Sequence, residues 1–368
     1  MSVELPMIDE SPTGRAWNGP RLDLGARPRI LIVRLSAIGD VVVTTPVSRA
    51  LREAFPEAWI AWLVEPKARD VVEGNPYLDE VIVWPRQSRE PTWRTALSSL
   101  GVARRLRRAR IDVAIDFQGL VRSALVARMS GAPWRIGNVG AREHAERFYN
   151  VRVAKPACSS SRQRCLDLLR PLGVETTDRR MVLPIAPADE AAARRLLAEV
   201  AIRPGDAYVC LVPASTWPHK HWLDERWSHL ADRIAEELGM RSVVLAGPQD
   251  RERTARVVAA ARSGPADFGG RTTLRQAAAI LQGARACVAV DTGLMHIAVS
   301  VGTPTVAICG ASWWPGFQDY ERFILLREPM PCSPCLRHPI CHAVDCMQAI
   351  TPAAVMAAVR RLLDGSAG

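Results

Sequence analysis

The apolar positions of this chain fall into short continuous runs, each followed by a stretch in which apolar residues recur at helical spacing. Continuous apolar runs are typical of strands buried on both faces of a parallel sheet. In the first half of the chain these predicted strands are Arg29–Arg34, Trp59–Val64, Glu80–Trp84, Ile111–Phe117 and Arg135–Gly137. The predicted helices of that half are Val41–Phe55, Thr92–Arg110, Arg142–Asn150 and Ser160–Leu172.

A second alternating series follows a proline-containing joint at Leu183–Pro187. Its predicted strands are Tyr208–Val212, Ser242–Ala246, Ala286–Val290 and Thr305–Ile308. Its predicted helices are Pro187–Val200, Leu223–Leu238, Asp250–Ala261, Thr273–Gln282, Leu294–Val301 and Pro352–Leu363. This alternation predicts an α/β protein with two doubly wound parallel sheets.

The same pattern divides the chain into four parts. We expect a mostly disordered tail at 1–27, a first Rossmann-like domain at 28–185, a second at 186–350, and a closing helical segment at 351–368. Packing of that last helix back onto the first domain is one possible arrangement. The tail lacks the apolar core of a signal peptide, so we do not expect export.

The formal net charge of +10 favours an anionic partner: phosphates, nucleic acid or an acidic membrane face. The helix Thr92–Arg110 carries six arginines, which form either a solvated face or a surface that rests on anionic lipid. No apolar run is long enough to span a bilayer. Nine cysteines at irregular spacing favour a reducing cytoplasm over a disulfide scaffold.

Asp291-Thr-Gly follows a predicted buried strand and opens a predicted helix. The helix entry at Thr292, Gly293 and Leu294 gathers N–H groups and the positive end of the helix dipole, which makes it a candidate anion site. Asp291 is the natural cap of that helix and could also accept hydrogen bonds from sugar hydroxyls. An ordinary capped helix is the alternative interpretation.

Strand Tyr208–Val212 runs into a loop with two hydroxyl side chains, Ser215 and Thr216, followed by Lys220. Hydroxyl donors and a point positive charge suit a diphosphate; a polar loop whose tryptophans pack on the domain is the alternative. We interpret His219 and His221 as loop residues rather than ligands. No Asp-x-Asp pair is present to hold a divalent metal under a diphosphate, so helix amides and Lys220 are expected to stabilise a leaving nucleotide.

Asp40 lies in a glycine-bearing loop after the first strand, where α/β sheets place functional groups. It is either a helix cap or a catalytic carboxylate. Cys332, Cys335, Cys341 and Cys346 begin with metal-ligand spacing and would satisfy tetrahedral zinc, but later gaps are irregular. His338 and His342 blur this ligand set, and reduced or adventitiously paired thiols are the alternative.

Six segments together resemble glycosyltransferase family 9, most closely the lipopolysaccharide core heptosyltransferases that add the first heptose. They are Arg34-Leu-Ser-Ala-Ile-Gly-Asp-Val, Asp116-Phe-Gln-Gly-Leu, Ala141-Arg-Glu, Phe148-Tyr-Asn, Ser215-Thr-x₃-Lys-His-Trp and Asp291-Thr-Gly-Leu-Met-His. The resemblance runs from about Arg29 to Leu363. It implies a GT-B fold with acceptor in the first domain, ADP-heptose in the second, and reaction in the cleft between them. It also implies inversion at the anomeric carbon without an essential metal or a cofactor.

By this resemblance Asp40 is the general base that deprotonates the acceptor hydroxyl. Lys220, Ser215 and Thr216 bind the donor diphosphate, Thr292, Gly293 and Leu294 form the phosphate-binding helix entry, and Asp291 and His296 lie beside the donor. Gln249 stands where similar members carry a ribose-binding glutamate. Lys67, Arg122 and Arg142 could meet the acids of a Kdo–lipid A acceptor, Kdo being 3-deoxy-D-manno-octulosonic acid.

These features predict an inverting heptosyltransferase on the cytoplasmic face of the inner membrane, in contact with anionic lipid and without a nucleic-acid partner. Alternatives are a family member that adds a later heptose or another nucleotide-activated sugar, a nucleotide-sugar epimerase with a GT-B fold, and a non-catalytic nucleotide-sugar binder.

Overall fold

The computed structural model describes residues 19–85, 93–155, 160–312, 315–317, 319–335, 341 and 344–365. They divide into two compact units joined in the chain between Pro184 and Ile185, and the short segment 315–317 belongs to the first unit. This joint lies next to the predicted domain boundary. Residues 1–18 of the predicted tail, His338 and His342 lie outside the described residues.

Each unit is built on one parallel sheet of six strands. The strands of the first sheet are β1 (Arg29–Val33), β2 (Trp59–Val64), β3 (Glu80–Val83), β4 (Val113–Asp116), β5 (Trp134–Asn138) and β6 (Val151–Val153). Those of the second are β7 (Tyr208–Val212), β8 (Arg241–Val244), β9 (Ala266–Asp267), β10 (Ala286–Val290), β11 (Thr305–Ile308) and β12 (Phe323–Leu326).

The helices of the first unit are α1 (Ile38–Thr44), α2 (Pro46–Ala54), α3 (Arg69–Val72), α4 (Trp93–Arg108), α5 (Val121–Met129) and α6 (Ser161–Asp167). Those of the second are α7 (Pro187–Glu199), α8 (Asp224–Leu238), α9 (Arg251–Ala260), α10 (Leu274–Gly283), α11 (Gly293–Ser300), α12 (Asp345–Gln348) and α13 (Pro352–Leu363). Short 3₁₀ segments lie at Pro66–Ala68, Arg142–Phe148, Arg170–Leu172, Pro218–Lys220, Pro248–Asp250 and Pro315–Phe317.

The two sheets share one topology. The first has the order β3-β2-β1-β4-β5-β6 and the second the order β12-β11-β10-β7-β8-β9, with every neighbouring pair parallel. In each sheet the strand order reverses between the first and fourth strands of the unit, β1 and β4 or β7 and β10. Ligands of open α/β sheets bind at the carboxyl ends of the strands beside such a switch point. The predicted doubly wound α/β fold is confirmed.

The central strands are buried along their length, as their apolar sequences require. β7 and β10 are buried at every position, and β1 at all but its first residue. In the second unit, Trp222 and Trp227 pack edge to face with ring centroids 5.2 Å apart inside the core that covers this sheet. Burial of such large side chains is the main favourable contribution to folding of these layers.

One sequence interpretation is corrected. The stretch predicted as one helix over Val41–Phe55 is two helices, α1 and α2, because Pro46 has no N–H to donate and begins a new helix instead. Helix α13 belongs to the second unit, and its packing on the first domain stays a prediction. Its apolar face, with Val355, Val359 and Leu362, is buried in the second unit's core.

The remaining differences concern edges and turns. Strands β6, β9 and β12 were not predicted; each has only two to four residues, and all three are edge strands. The predicted helix Arg142–Asn150 is a 3₁₀ segment interrupted at Glu143 and His144, both in the left-handed region with φ 58°. Among the described helices, none is long and apolar enough to cross a membrane.

Candidate active site at the carboxyl edges of the two sheets

Asp40 lies in α1, directly after the carboxyl end of β1 at the switch point of the first sheet. Its side chain is 57% exposed, and its Oδ1 lies 3.0 Å from the guanidinium of Arg34. The other oxygen accepts a long contact of 3.4 Å from the Ala37 N–H at the start of the helix. Asp40 thus contacts the helix entry and keeps an exposed carboxylate, while its catalytic role stays a prediction.

The loop that carries Asp40 is fixed by the neighbouring strand. The Gln118 side-chain oxygen accepts from the N–H groups of Leu35 at 2.9 Å and Ser36 at 3.2 Å. Arg34 also donates to the Phe117 carbonyl. Because strands β1 and β4 pair in parallel, their following loops meet at one edge and can form these bonds. The Arg34-Leu-Ser and Asp116-Phe-Gln-Gly segments thus act together to position the Asp40 loop.

Asp116 is the centre of this support. Its fully buried carboxylate accepts from the Gln118 and Gly119 N–H groups at 2.8 and 3.3 Å, from the Ser123 hydroxyl at 2.8 Å and from the Tyr149 hydroxyl at 2.6 Å. Burial raises the pKa of Asp116, while these donated hydrogen bonds act in the opposite direction.

Two other family segments of the first unit, Ala141-Arg-Glu and Phe148-Tyr-Asn, also have structural roles. The Tyr149 ring lies so close to Gly137 that a Cβ there would come within 2.2 Å of it. The Glu143 carboxylate accepts from the Val121 N–H at 3.1 Å and so caps the amino end of α5. These residues hold the scaffold around Asp40 rather than reach into the edge themselves.

The three predicted acceptor residues all follow strands at this same carboxyl edge. Lys67 is exposed in the 3₁₀ segment after β2. Arg122, in α5 after β4, forms an ion pair of 2.6 Å with Glu65 and donates to the Ser36 hydroxyl at 2.8 Å. Arg142 is exposed after β5. Arg122 therefore supports the Asp40 loop as well as contributing positive charge.

The structure adds basic residues that sequence reasoning missed. Lys155 is one of them, and part of its side chain is solvent-accessible. Its pKa is lowered, first by partial burial and then by the positive charges of Arg164, Arg142 and Arg34. The three arginines therefore each lie within electrostatic range of Lys155 and surround it with positive charge. The position of Lys155 after strand β6 would have been the signal, but that strand was not predicted.

In the second unit, three predicted donor residues come into direct contact at the β7–β10 switch point. Lys220 Nζ lies 2.7 Å from Asp291 Oδ2, and each of these side chains is only 15% exposed. The Ser215 hydroxyl donates to the Asp291 backbone carbonyl at 2.8 Å. The Lys220 ammonium also lies 4.4 Å above the Trp217 ring.

Asp291 does not cap α11, contrary to the first of the two roles predicted for it. The N-cap residue is Thr292, whose own side chain makes no capping hydrogen bond. The Asp291 carboxylate instead accepts from Lys220 and from the Ser312 hydroxyl, the latter at 2.5 Å. The helix entry formed by Thr292, Gly293 and Leu294 is half-buried, as an anion site of this kind requires.

His221 supports the Ser215 loop and has a lowered pKa. Its Nδ1 lies 2.7 Å from the Arg253 guanidinium, and its Nε2 lies 2.8 Å from the Ser215 carbonyl. The tautomer with the proton on Nε2 satisfies both contacts, because Nδ1 then accepts from Arg253. Burial and the positive charge of Arg253 lower the pKa of His221 below its ordinary value. His221 is thus a positioning residue.

The other predicted donor residues lie around this centre. His296 Nε2 is 4.0 Å from Asp291 Oδ1, and its Nδ1 is 2.8 Å from the Tyr320 hydroxyl. Thr216 is exposed in the loop after β7. Gln249 is exposed after β8 and donates to the Asp250 carboxylate at 3.0 Å. Sequence reasoning missed Ser312, although it follows strand β11 at the same carboxyl edge.

The cysteine segment stays outside this site. Cys332, Cys335, Cys341 and Cys346 are free thiols, and burial raises the pKa of Cys335 and Cys346. In the part of the chain that the structure describes, no three histidine, cysteine or acidic side chains are arranged to hold a metal ion. The tetrahedral site considered for these cysteines stays a prediction, because His338 and His342 of the same segment lie outside the described residues.

Two Rossmann-like sheets of the same topology, each with polar residues at the carboxyl edge beside its switch point, are the two halves of the GT-B fold. A family model described as glycosyltransferase family 9 (heptosyltransferase) matches residues 100–339. The chain belongs to this family.

Named relatives agree with this assignment. The chain is 33% identical over 317 residues to lipopolysaccharide heptosyltransferase 1 of Pseudomonas aeruginosa, covering 84% of this chain and 86% of the relative. It is 30% identical over 295 residues to lipopolysaccharide heptosyltransferase 1 of Escherichia coli K12, covering 77% and 88%. The chain is therefore a glycosyltransferase, and the expected family resemblance is confirmed.

Solved structures share the fold. A family 9 glycosyl transferase from Veillonella parvula has a TM-score of 0.80 at 25% identity and covers 94% of this chain and 99% of its own. The E. coli heptosyltransferase WaaC, solved with ADP-2-deoxy-2-fluoro heptose, has a TM-score of 0.69 at 24% identity, covering 90% and 99%.

Proposed function

We propose that this enzyme is an inverting heptosyltransferase that moves L-glycero-D-manno-heptose from ADP to the Kdo–lipid A inner core of lipopolysaccharide. The observation that carries the proposal is the Asp40 carboxylate, which stays 57% exposed at the switch point of its sheet although Arg34 lies 3.0 Å away. A carboxylate with this access can receive a proton from a substrate hydroxyl. The relatives named as lipopolysaccharide heptosyltransferase 1 support the choice of donor and acceptor.

On the donor side, the diphosphate of ADP-heptose binds at the α11 entry with Lys220. Asp291 would repel a phosphate if its charge were uncompensated. The Lys220 ammonium at 2.7 Å and the Ser312 hydroxyl at 2.5 Å offset that charge. An ammonium has three N–H donors, so Lys220 can keep Asp291 and still reach a phosphate oxygen. The uncapped amides of the helix entry supply the remaining donors.

The reaction is a single displacement. The acceptor oxygen forms a bond to the anomeric carbon as the bond from that carbon to the β-phosphate oxygen breaks. The acceptor proton passes to Asp40, and the bonding electron pair leaves with ADP. Lys220 and the amino end of α11 stabilise the negative charge that develops on the leaving diphosphate. Attack opposite the leaving group inverts the anomeric configuration.

The acceptor half fits a multiply acidic substrate. Arg142, Arg164 and Arg34 each lie within electrostatic range of Lys155, and Arg34 contacts Asp40. Lys67 and Arg122 follow β2 and β4, the two strands that flank β1, at the same edge. Carboxylates and phosphates of a Kdo–lipid A acceptor would balance this positive charge. We place the reaction on the cytoplasmic face of the inner membrane, where such a lipid acceptor is accessible.

A donor and acceptor panel tests the proposal. ADP-heptose, UDP-sugars and GDP-sugars are incubated with Kdo–lipid A or with a heptosylated core lipid, and release of free nucleotide is measured. We expect turnover with ADP-heptose and Kdo–lipid A. Turnover only with a non-ADP donor would overturn the donor assignment, and turnover only with the heptosylated core would indicate a later step. Interconversion of sugar nucleotides without acceptor would indicate an epimerase.

A further inference from the structure

Two neighbouring helices of the first unit carry arginines without any acidic residue. Helix α4 contains Arg94, Arg104, Arg105, Arg107 and Arg108, and helix α5 contains Arg122 and Arg128; neither contains Asp or Glu. Both helices pack their apolar residues on one face of the first sheet, where Leu106 of α4 and Val126 of α5 belong to the same core. The outward-facing sides of the two helices therefore form one surface, which we call the α4–α5 face.

The α4–α5 face also exposes leucines. Leu97 is 58% exposed, Leu100 41% and Leu125 43%. On α4, Leu97, Leu100, Arg104 and Arg108 recur at helical spacing, so they form one stripe that is apolar toward the amino end and basic toward the carboxyl end. Exposed leucines beside arginines on adjoining helices are the composition of a surface that enters the boundary between lipid headgroups and acyl chains.

The outer helices of the second unit differ in charge balance. Several arginines there have acidic partners: Arg233 lies 2.5 Å from Glu237, Arg360 pairs with Glu237, and Arg262, just after α9, lies 2.9 Å from Glu236. On the α4–α5 face, Arg105 pairs with Glu80, but within the described residues neither Arg104 nor Arg108 forms an ion pair. At Arg104 and Arg108 this face thus presents positive charge that no described acidic side chain pairs with.

We propose that the α4–α5 face docks the enzyme on an anionic lipid bilayer. Arg104 and Arg108 meet lipid phosphates, and Leu97, Leu100 and Leu125 enter the headgroup boundary. Charge complementarity selects an acidic membrane, and the exposed leucines favour lipid over nucleic acid, which offers no apolar layer for them. Because no described helix can span the bilayer, contact through such a face is a surface attachment. This proposal rests on the proposed function, which places the reaction at the inner membrane, and it adds which face of the enzyme contacts the lipid.

Vesicle co-sedimentation tests the docking. The full-length enzyme is mixed with vesicles of phosphatidylcholine alone or with added phosphatidylglycerol. We expect binding only to the anionic vesicles, and loss of binding near 1 M salt, where the Debye length falls to about 3 Å. Each basic residue near an anionic surface contributes about 1 kcal/mol, so Arg104→Gln with Arg108→Gln should weaken binding about 30-fold.

A second variant and a matched control separate the two components of the face. Leu97→Ser with Leu100→Ser should weaken binding several-fold while the salt dependence remains. Arg194→Gln with Arg195→Gln removes the same charge from α7, whose first turn carries Asp189 and Glu190, and should leave binding unchanged. Circular dichroism and ADP affinity establish that each variant is folded.

Three results would overturn the docking proposal: no binding to anionic vesicles at low salt, equal binding by the α4 and α7 variants, or salt-sensitive binding to duplex nucleic acid in place of vesicles. Heptose transfer to a deacylated, water-soluble acceptor needs no membrane, so it tests the proposed reaction independently of docking. The α4 variants should transfer heptose to that acceptor at the wild-type rate. If vesicle binding fails but soluble transfer proceeds, only the docking face is wrong.

Discussion

Asp40 at the first switch point and Asp291 at the second are carboxylates with opposite surroundings. Asp40 is 57% exposed and has a single guanidinium beside it, whereas Asp291 is 15% exposed and accepts from both Lys220 and Ser312. An exposed carboxylate is available to a substrate proton. An enclosed and neutralised carboxylate instead holds a cation in place, so that a phosphate can approach without repulsion. In the proposed reaction the same residue type thus serves proton transfer in one sheet and anion binding in the other.

The family segments of the two units also differ in their contacts. In the first unit, Gln118, Asp116 and Tyr149 form a hydrogen-bonded support that fixes the loop before Asp40. In the second, Ser215, Lys220 and Asp291 contact one another directly. Substitutions at the first switch point should therefore divide into one with a catalytic effect and several with structural effects. At the second switch point, a single substitution should change ADP affinity and stability together, and a double variant is needed to separate the two effects.

Asp40→Asn should have the largest effect. We expect kcat to fall about a hundredfold to ten-thousandfold, because the amide cannot accept the proton of the acceptor hydroxyl. ADP affinity should stay nearly unchanged, since Asp40 belongs to the other switch point. Nucleotide release measures kcat and calorimetry measures the ADP dissociation constant. Wild-type turnover by this variant would remove Asp40 from the mechanism, and a parallel loss of ADP affinity would indicate a general structural defect.

Lys220→Met should weaken ADP binding about tenfold to a hundredfold, as expected for loss of a charged hydrogen bond to phosphate. It should also lower thermal stability, because Asp291 is left enclosed without its cation. The double variant Lys220→Met with Asp291→Asn removes that unpaired charge. It should recover stability but not ADP affinity. Recovery of both would mean that Lys220 acts only on Asp291 and not on the diphosphate.

Much of the fold follows from apolar periodicity alone. The bounds of β2, β7, β10, β11 and α13 agree with the predicted ones, because each of the four strands is a continuous apolar run and α13 has a clear amphipathic period. The strands missed, β6, β9 and β12, all lie at sheet edges. β6 and β9 have three and two residues and offer no extended apolar run to detect. β12 is Phe-Ile-Leu-Leu, an apolar run as long as β11, so its signal was present and was overlooked.

The contacts between the site residues were harder to predict than the residues themselves. Asp40, Lys220 and Asp291 stand at strand ends, which is a local signal. The pairing of Asp291 with Lys220 joins residues 71 positions apart, and its bond to Ser312 spans 21. Such contacts depend on which strands neighbour each other, and the strand order was not available from periodicity. The cap predicted for Asp291 failed for this reason: a tertiary ion pair replaced a local hydrogen bond.

Gln249 should have a smaller effect on the donor side. Gln249→Ala should weaken ADP binding about two- to tenfold, the range of one neutral hydrogen bond to a ribose hydroxyl. Gln249→Glu should bind ADP at least as tightly as wild type, since a carboxylate accepts from ribose hydroxyls. Calorimetry with ADP and with inorganic pyrophosphate separates ribose from phosphate contacts. If both ligands weaken equally in Gln249→Ala, the residue does not contact the ribose.

The smallest effect concerns His221 and pH. Burial and Arg253 lower the pKa of His221, so the folded state binds fewer protons there than the unfolded state does. The resulting stability is present above the ordinary histidine pKa of about 6.5 and is lost as pH falls through the interval down to the folded-state pKa. Protonation at Nδ1 would place a second cation 2.7 Å from the Arg253 guanidinium and loosen the Ser215 loop. Thermal unfolding from neutral to mildly acidic pH should therefore show a decline in the wild type that is shallower in His221→Gln. Parallel pH curves for the two proteins would show that other groups control this decline, because the remaining titratable residues are identical in both.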